Sequence, residues 1–302
     1  MGPTASGKTH LAIELTQHLP CDIISVDSAM VYRGMDIGTA KPTQAELTIA
    51  PHRLIDIADP ADPYSAGQFY IDAKREIEQI LSKGRIPLLV GGTMLYFRAL
   101  QCGLSPLPTA DATIRQQIVK EAESIGWPAL HQRLSHVDPT AAANISPQDA
   151  QRIQRALEIY QLTGYSRTDL YQQTKIQPLP YRMIHLGLIS EDRVYLAQKI
   201  AARFQHMLQQ GFIEEVAHLK NRGDLHPDMP SMRAVGYRQI WDYLEGHLTA
   251  HDMQERAIIA TRQLAKRQMT WLRSWTEITF LAAEALTLKN VLELLKPLLN
   301  ST

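Results

Sequence analysis

The chain has 302 residues, enough for a sizeable core and one or two domains, and its 31 basic and 31 acidic residues give a net charge of +0. This balance excludes binding of a polyanion by a global positive field, so an anionic partner has to be met by local basic patches. Two cysteines without metal-ligand spacing, and the absence of an apolar run near the roughly 18 residues of a membrane span, favour a soluble cytoplasmic protein.

The first residues form a complete phosphate-binding loop. The sequence Gly2, Pro3, Thr4, Ala5, Ser6, Gly7, Lys8, Thr9 matches G-x-x-x-x-G-K-S/T. Backbone amides, the Lys8 ammonium and the N-terminus of a helix that begins at Lys8 all favour an anion here, and the Thr9 hydroxyl is a candidate ligand for Mg²⁺. The pattern predicts a di- or triphosphate site without specifying its chemistry. Such a loop normally follows a β-strand, so either that strand is absent or Met1 is an internal methionine of a longer protein.

The remaining patterns predict an α/β protein. Short apolar runs at 23–26, 53–57 and 86–90 alternate with helical spacing, as at 65–83, which is typical of buried parallel strands flanked by helices. After a linker at 105–109, only helical patterns occur from 111 to about 173. A strand pattern returns at 184–189, and long helices follow. We expect a P-loop NTPase-like core with a helical C-terminal part at 1–107 and 179–302, and an all-helical insertion at 108–178.

Two polar residues follow predicted strands, where parallel sheets bind their ligands. Asp27 ends the first run, and Thr93 follows the third run and two glycines. An Asp at such a position is often an Mg²⁺ ligand or a water-binding residue, and Thr93 is either a site residue or the cap of the next helix. Arg203 lies among apolar helix positions, which predicts either a structural salt bridge or an anion site.

Basic residues cluster in two places. Arg256, Arg262, Lys266, Arg267 and Arg273 occur between 256 and 273 without any acidic residue, and Trp271 and Trp275 are close by. A smaller group, Arg152 and Arg155 with Gln151 and Gln154, lies on the predicted insertion. Stripes of one sign fit contact with nucleic-acid phosphates, although a solvated helix face is the alternative.

Taken in order, these motifs resemble those of bacterial tRNA dimethylallyltransferases. The matching stretches are 2–9, 24–29, 34–42, 51–56, 88–96, 233–238 and 261–268. The resemblance implies transfer of the dimethylallyl group from dimethylallyl diphosphate to N6 of adenosine 37, in the anticodon loop of tRNAs that read codons beginning with U, with release of diphosphate. It further implies Mg²⁺ as the ion, and we expect a monomer that holds the tRNA anticodon stem-loop between core and insertion.

By the same resemblance, Asp27 is the catalytic base and Thr93 contacts the diphosphate near its bridging oxygen. Gly2 to Thr9 and Arg203 bind the diphosphate, and Thr9 binds Mg²⁺. The residues implied to contact tRNA are Asp27, Ser28, Ala29, Met30, Thr93, Arg115, Gln151, Arg152, Ile153, Gln154, Arg155, Arg233, Ala234, Val235, Gly236, Tyr237, Arg238, Lys266, Arg267, Gln268, Met269, Thr270, Trp271, Leu272 and Arg273.

Three other functions stay open on the residues alone. A small-molecule kinase would use the loop for ATP and place Arg115, Arg133 or Arg152 on a lid. A prenyltransferase acting on free adenine nucleotides would leave the C-terminal basic stripe without a role. A non-catalytic RNA-binding module would leave the phosphate loop without one.

Overall fold

The computed structural model describes residues 1–105, 107–173 and 178–299, and the chain divides into two compact units. The first comprises Met1–Gln101 and Leu179–Thr302, and the second comprises Cys102–Pro178. The second unit thus begins ahead of residue 108, where the sequence patterns placed the start of the insertion. Pro106 of the predicted linker, and residues 174–177 before the second boundary, lie outside the described residues.

The described part of the first unit contains two parallel sheets flanked by helices, one of three strands and one of two, which confirms the predicted α/β fold class. Its strands are β1 (Cys21–Val26), β2 (His52–Arg53), β3 (Ile86–Gly91), β4 (His185–Ile189) and β5 (Ile278–Ala282). Its helices are α1 (Lys8–Thr16), α2 (Gln44–Ile49), α3 (Ala66–Leu81), α4 (Met94–Cys102), α10 (Arg193–Gln209), α11 (Phe212–Asn221), α12 (Tyr237–Leu244), α13 (Ala250–Arg273) and α14 (Leu288–Leu299). The helices numbered between α4 and α10 belong to the second unit. None of the helices in the described ranges is both long enough and apolar enough to cross a membrane.

The strand register brings two loop starts to one edge of the sheet. The strand order is β2-β1-β3, and β1 pairs with β3 in parallel from Cys21 opposite Ile86 to Val26 opposite Gly91. Both strands therefore end at the same level, which is the edge where parallel sheets bind ligands. The side chains of Ile23, Ile24 and Val26 are fully buried and fix β1 in the core.

Two strands differ from the sequence prediction. The run 53–57 was expected to be a strand throughout, but β2 ends at Arg53 because Leu54 and Asp56 have φ angles of 61° and 55°, which no strand can accommodate. Strand β5 was not predicted, and it pairs in parallel with β4. Three of its five residues are exposed, which weakens the apolar signal.

Met1 pairs with β4 as if it were a strand residue. Its amino group donates to the carbonyl of Leu186 at 2.7 Å, and the amide of Leu188 donates to the Met1 carbonyl at 2.8 Å. A Cβ on Gly2 would lie 2.9 Å from the Leu188 carbonyl oxygen, so glycine is needed for this close approach. Strand β4 thus anchors the start of the phosphate loop, beside an apolar cavity of about 470 Å³ that Met1 lines together with residues of β3, β4, α1 and α14.

The described part of the second unit is all helical. Its helices are α5 (Ala112–Ile125), α6 (Trp127–Val137), α7 (Pro139–Ala143), α8 (Ala150–Thr163) and α9 (Arg167–Gln173). They pack around their own core, in which Ile118, Leu130, Leu134 and Ile153 have no exposed surface. The side chains of Asp111 and Asp149 cap α5 and α8, which explains where these helices begin.

A buried carboxylate organises one side of this unit. Glu158 has no exposed surface, and it accepts hydrogen bonds from Arg115 Nε at 2.9 Å, Arg155 at 2.7 Å and the Asp111 amide at 2.8 Å. Burial alone would raise the pKa of the Glu158 carboxyl, but the hydrogen bonds from Arg155 and Arg115 lower it below its usual value. The arginines are therefore structural partners of a buried anion.

We expect Glu158→Gln to destabilise the second unit by about 3 kcal/mol, because two arginines lose the charge that compensates them. Urea unfolding at pH 7, with hydrogen exchange of the α5 and α8 amides, measures this. The native pKa is depressed, so the contribution of Glu158 is present above its unfolded pKa and is lost as pH falls through the folded one. The gap between variant and parent should therefore shrink in acid. The exposed Glu123→Gln is the control, and a gap that is unchanged in acid would contradict the assignment.

Candidate active site

A cavity of about 170 Å³ in the first unit brings most of the predicted core site residues together. The phosphate loop contributes Thr4, Lys8 and Thr9, and the end of β1 and its following loop contribute Ser25, Asp27, Ala29 and Met30. Gly91 and Gly92 come from the end of β3, and Arg203 comes from α10. Residues far apart in the sequence thus form one site, at the sheet edge set by the register of β1 and β3.

The phosphate loop adopts a tight turn around its lysine. Ala5 and Gly7 have φ angles of 63° and 84°, and α1 begins directly afterwards at Lys8. The Lys8 ammonium donates to the carbonyl of Pro3 within the same loop. Burial, followed by the nearby Arg203 charge, lowers the pKa of Lys8 to about 7, and Asp27 opposes this shift. The loop therefore holds a cation whose charge is destabilised until an anion arrives.

Arg203 is the second half-buried cation of the site. It lies on α10 between the buried side chains of Ile200 and Phe204, and burial lowers the pKa of its guanidinium although Asp27 opposes the shift. Among the described residues no carboxylate lies within salt-bridge distance of Arg203. The structural salt bridge considered from the sequence is therefore not found there, and an anion-binding role remains the prediction.

Asp27 and Thr93 lie on neighbouring loops that hydrogen bonds join. The Thr93 amide donates to the Val26 carbonyl at 3.2 Å, and the Thr93 hydroxyl accepts from the Ser28 amide at 3.0 Å. Asp27 Oδ1 accepts from the amides of Ala29 and Met30 at 2.9 and 3.3 Å, which fixes the orientation of the carboxylate. Among the described residues Asp27 Oδ2 accepts no hydrogen bond. The second carboxylate oxygen is therefore available to a substrate.

Apolar side chains form much of the cavity wall, and of these only Met30, Ala234 and Val235 were among the predicted site residues, as tRNA contacts. The apolar residues of the wall are Met30, Ile200, Phe204, Met207, Phe212, Ala234, Val235 and Leu264. Helical spacing had identified several of them as core positions, and spacing alone does not distinguish a core from a cavity wall. The cavity thus combines half-buried cations with a hydrocarbon surface, and this combination suits a phosphorylated ligand with a short apolar tail.

Glu215 fixes the part of the wall that belongs to the loop after β1. Its carboxylate accepts hydrogen bonds from the amides of Asp36, Ile37 and Gly38 at 2.9, 2.7 and 3.1 Å and from the Tyr237 hydroxyl at 2.5 Å. A Cβ on Gly38 would lie 2.1 Å from the ring of Phe212, so only glycine fits there. No sequence signal marked Glu215, because three of its partners are backbone amides more than 170 residues away and the fourth is a tyrosine hydroxyl on another helix.

The predicted tRNA residues of α13 face different surroundings. Lys266, Arg267, Thr270 and Arg273 are exposed. Met269 and Leu272 belong to the hydrophobic core, so their side chains face away from any bound RNA. Trp271 is half-buried, with the Arg98 guanidinium 5.7 Å from its ring centroid. Gln268 bonds to the phosphate loop and to the turn after β3. The basic stripe is therefore one face of α13, and we call its residues Lys266, Arg267, Thr270 and Arg273 the α13 surface.

The residues around the start of α12, 233–238, show the same division. Arg233 and Arg238 are exposed, and Arg233 lies 3.6 Å from Asp228. Gly236 and Tyr237 are buried, and Ala234 and Val235 line the cavity. On this segment only the two arginines extend charged side chains towards solvent.

On the second unit, the predicted RNA contacts differ in exposure. The Arg152 side chain is 64% exposed and lies 3.4 Å from Asp149, and Gln151 is also exposed. Arg115 and Arg155 bond to Glu158, Gln154 bonds to the Arg115 carbonyl, and Ile153 is buried in the core. The buried side chain of Ile153 cannot reach RNA, whereas Arg152 presents its charge to solvent.

Two family models and several solved structures match this chain. A sequence model described as IPP transferase matches residues 30–275, and one described as isopentenyl transferase matches residues 1–56. A tRNA isopentenylpyrophosphate transferase from Bacillus halodurans is 37% identical, with 99% of this chain and 94% of that chain covered and a TM-score of 0.72. A tRNA isopentenylpyrophosphate transferase from Staphylococcus epidermidis is 32% identical, with 100% and 98% covered and a TM-score of 0.70.

A more distant structure agrees in fold. A eukaryotic dimethylallyltransferase acting on tRNA is 26% identical, with 99% of this chain and 78% of that chain covered and a TM-score of 0.82. The resemblance drawn from the motifs is confirmed, and the kinase alternative is excluded by the extent of the family match. The chain therefore belongs to the IPP transferase family of enzymes, the tRNA dimethylallyltransferases.

Proposed function

We propose that this protein transfers the dimethylallyl group of dimethylallyl diphosphate to N6 of adenosine 37, in tRNAs that read codons beginning with U, and releases diphosphate. The observation that supports this proposal most directly is that Lys8, Arg203 and Asp27 line the same cavity as a group of apolar side chains. Relatives described as tRNA isopentenylpyrophosphate transferases support the choice of substrates. The apolar wall fits the five-carbon group, and the cations fit the diphosphate.

The leaving group is the first chemical requirement. When the bond between the allylic carbon and the bridging oxygen breaks, its electron pair stays on the diphosphate, whose negative charge increases. Lys8, the phosphate-loop amides and Arg203 are placed to neutralise that charge before the reaction begins. Because both side chains are cations within a largely buried site, their interaction with the diphosphate is stronger than it would be in water.

The residues present fit the predicted Mg²⁺. Thr9 and Asp27 both line the cavity and offer oxygen atoms, the ligands that Mg²⁺ prefers. Mg²⁺ would be held by the Thr9 hydroxyl together with diphosphate oxygens. Its contribution would be further neutralisation of charge on the departing diphosphate.

The nucleophile is the second requirement. The exocyclic amine of adenine is weak because its lone pair is delocalised into the ring, so a base that accepts its proton as the C–N bond forms accelerates the reaction by about 10²–10⁴-fold. Asp27 serves as that base in this proposal, because hydrogen bonds fix its Oδ1 and leave Oδ2 for the amine. Thr93, bonded to Ser28 beside Asp27, would contact the bridging oxygen.

The target adenine has to leave its base stack to reach this cavity. Bases in RNA loops are the ones that unstack most readily, which favours an anticodon loop over a duplex. The α13 surface and the exposed Arg233 and Arg238 would contact the phosphates of the core-bound RNA, and Arg152 would contact RNA on the second unit.

Incubation with radiolabelled dimethylallyl diphosphate tests the substrate pair directly. We expect label on an unmodified anticodon stem-loop that carries adenosine 37 preceded by adenosine 36, the base that pairs with a codon's first U. AMP should stay unlabelled, as should a stem-loop with guanosine at position 36. Label on AMP but not on the stem-loop would reject the tRNA substrate, whereas equal labelling of both stem-loops would reject the codon preference.

Asp27→Asn tests the base assignment. The amide oxygen still accepts from the Ala29 amide, so the loop geometry is retained while the base is lost. We expect the single-turnover rate to fall by about 10²–10⁴-fold with tRNA affinity unchanged within twofold. A large loss of tRNA affinity at an unchanged rate would contradict the assignment. Asp62→Asn, at an exposed carboxylate that does not line the cavity, is the control.

Protonation of Lys8 provides a test of diphosphate binding. Its pKa of about 7 in the free protein leaves it mostly neutral at pH 8, and an adjacent diphosphate raises that pKa, so binding at pH 8 should take up roughly one proton. Calorimetry in buffers of different ionisation enthalpy measures the uptake.

In the free protein the lowered pKa of Lys8 also makes the free energy of unfolding rise with pH between about 7 and 10.5, because the unfolded chain binds the extra proton there.

The exposed Lys289→Gln should leave the uptake unchanged, whereas Lys8→Gln should abolish it. Binding by the parent protein without proton uptake at pH 8 would show that Lys8 is not the group that meets the diphosphate.

A further inference from the structure

We propose that Gln268 is a positioning residue that holds the phosphate loop against the turn after β3, and that it is not a tRNA contact. Its effect on rate rests on the proposed function, but its geometry does not. The resemblance placed Gln268 among the tRNA contacts because it lies between Arg267 and Met269 on α13. The structure directs its side chain elsewhere.

Gln268 bridges two loops with both ends of its carboxamide. Its Oε1 accepts a hydrogen bond from the Thr4 amide at 2.8 Å, and its Nε2 donates to the Gly92 carbonyl at 2.9 Å. One side chain thus satisfies a donor and an acceptor that lie 264 and 176 residues away. A carboxamide is suited to this, because it presents an acceptor and donors on adjacent atoms.

The helix fixes the direction of this side chain. Ala265 and Leu272, three residues before and four after Gln268, share its helix face and are buried at 2% and 0% exposure. Gln268 itself is half-buried and lines the cavity together with Thr4 and Gly92. Its neighbours Lys266 and Arg267 are exposed. The carboxamide therefore points into the site while the charges of the α13 surface point to solvent.

Gly92 is shaped to receive this bridge. A Cβ at position 92 would lie 2.4 Å from Gln268 Nε2 and 3.2 Å from the Gly2 carbonyl oxygen. The φ angle of Gly92 is not in the left-handed region, so space rather than backbone conformation accounts for the glycine. A side chain at 92 would displace the carboxamide, which makes Gly92 and Gln268 a complementary pair.

The bridged loops carry different parts of the chemistry. The phosphate loop supplies Lys8 and Thr9 to the diphosphate, and the turn leads into Thr93, which bonds to Ser28 next to Asp27. The bridge thus sets the distance between the diphosphate group and the base. Misplacement of reacting groups by about 1 Å costs on the order of 10²-fold in rate, so loss of the bridge should be visible in catalysis.

The experiment compares three variants on one helix. Gln268→Met keeps the side-chain length and removes both hydrogen bonds. Gln254→Met is a matched control at a glutamine whose side chain bonds to Gln205, and Arg267→Ala represents the α13 surface. For Gln268→Met we expect a single-turnover rate about 10–100-fold lower at saturating substrates, with tRNA affinity within twofold of the parent. Arg267→Ala should do the reverse, weakening tRNA binding and flattening its salt dependence.

Binding of inorganic diphosphate, measured without tRNA, separates this proposal from the proposed function. Gln268→Met should weaken it roughly fivefold or more, since the loop amides lose their support, and Gln254→Met should not. The affinity for diphosphate tests the positioning role of Gln268 even if the acceptor is not tRNA. Unchanged diphosphate affinity and unchanged saturating rate, with weaker tRNA binding, would overturn the positioning role and restore the tRNA contact.

A double-mutant cycle tests the pairing itself. Gly92→Ala should reduce the rate strongly in the parent and much less in a Gln268→Ala background, where the obstructing carboxamide is gone. Strict additivity of the two effects would mean that the residues act independently and would also overturn the proposal. Thermal melting of each variant distinguishes a local loss of geometry, with a nearly unchanged melting temperature, from general unfolding.

Discussion

The parallel register between β1 and β3 is the constraint on which the site depends. Because Val26 lies opposite Gly91, the loops that carry Asp27 and Thr93 begin at the same level and are close enough to exchange hydrogen bonds. The phosphate loop joins this edge from the other side, where Met1 pairs with β4. A shift of one residue in the pairing would turn the buried side chains of β1 outward and separate the two loops.

Electrostatics complement this geometry. Lys8 and Arg203 are held in the wall of one cavity, and burial disfavours the charged form of both side chains. A free energy cost is thus built into the unliganded site, and an anion with several negative oxygens relieves it. The second unit shows the opposite case, because Glu158 already compensates Arg115 and Arg155. Arg203 is therefore available to a ligand, whereas Glu158 neutralises Arg115 and Arg155 within the protein.

Short sequence motifs and helical spacing were sufficient to predict several parts of the site and of the fold. The phosphate loop, the position of Asp27 after β1 and the helical character of the insertion all follow from short-range signals. Non-local features could not be predicted in this way. Periodicity did not show that β2 ends at Arg53, that Arg115 faces Glu158 or that Gln268 turns inward, because each depends on a tertiary partner. The breadth of the apolar wall was likewise hidden, because wall and core residues share one helical pattern.

Glu215 connects the cavity wall to the start of α12. It accepts hydrogen bonds from three consecutive amides of the loop after β1, of which Gly38 lines the cavity, and from Tyr237, the first residue of α12, so these elements share one anchor. The segment that leads into α12 carries Arg233, Ala234 and Val235, two of which also line the cavity. A macromolecule that bound Arg233 and moved this segment would thus change the shape of the cavity without entering the cavity. The loop after β1 and the start of α12, which contribute Gly38 and Tyr237 to the cavity wall, thus share a single carboxylate as their anchor.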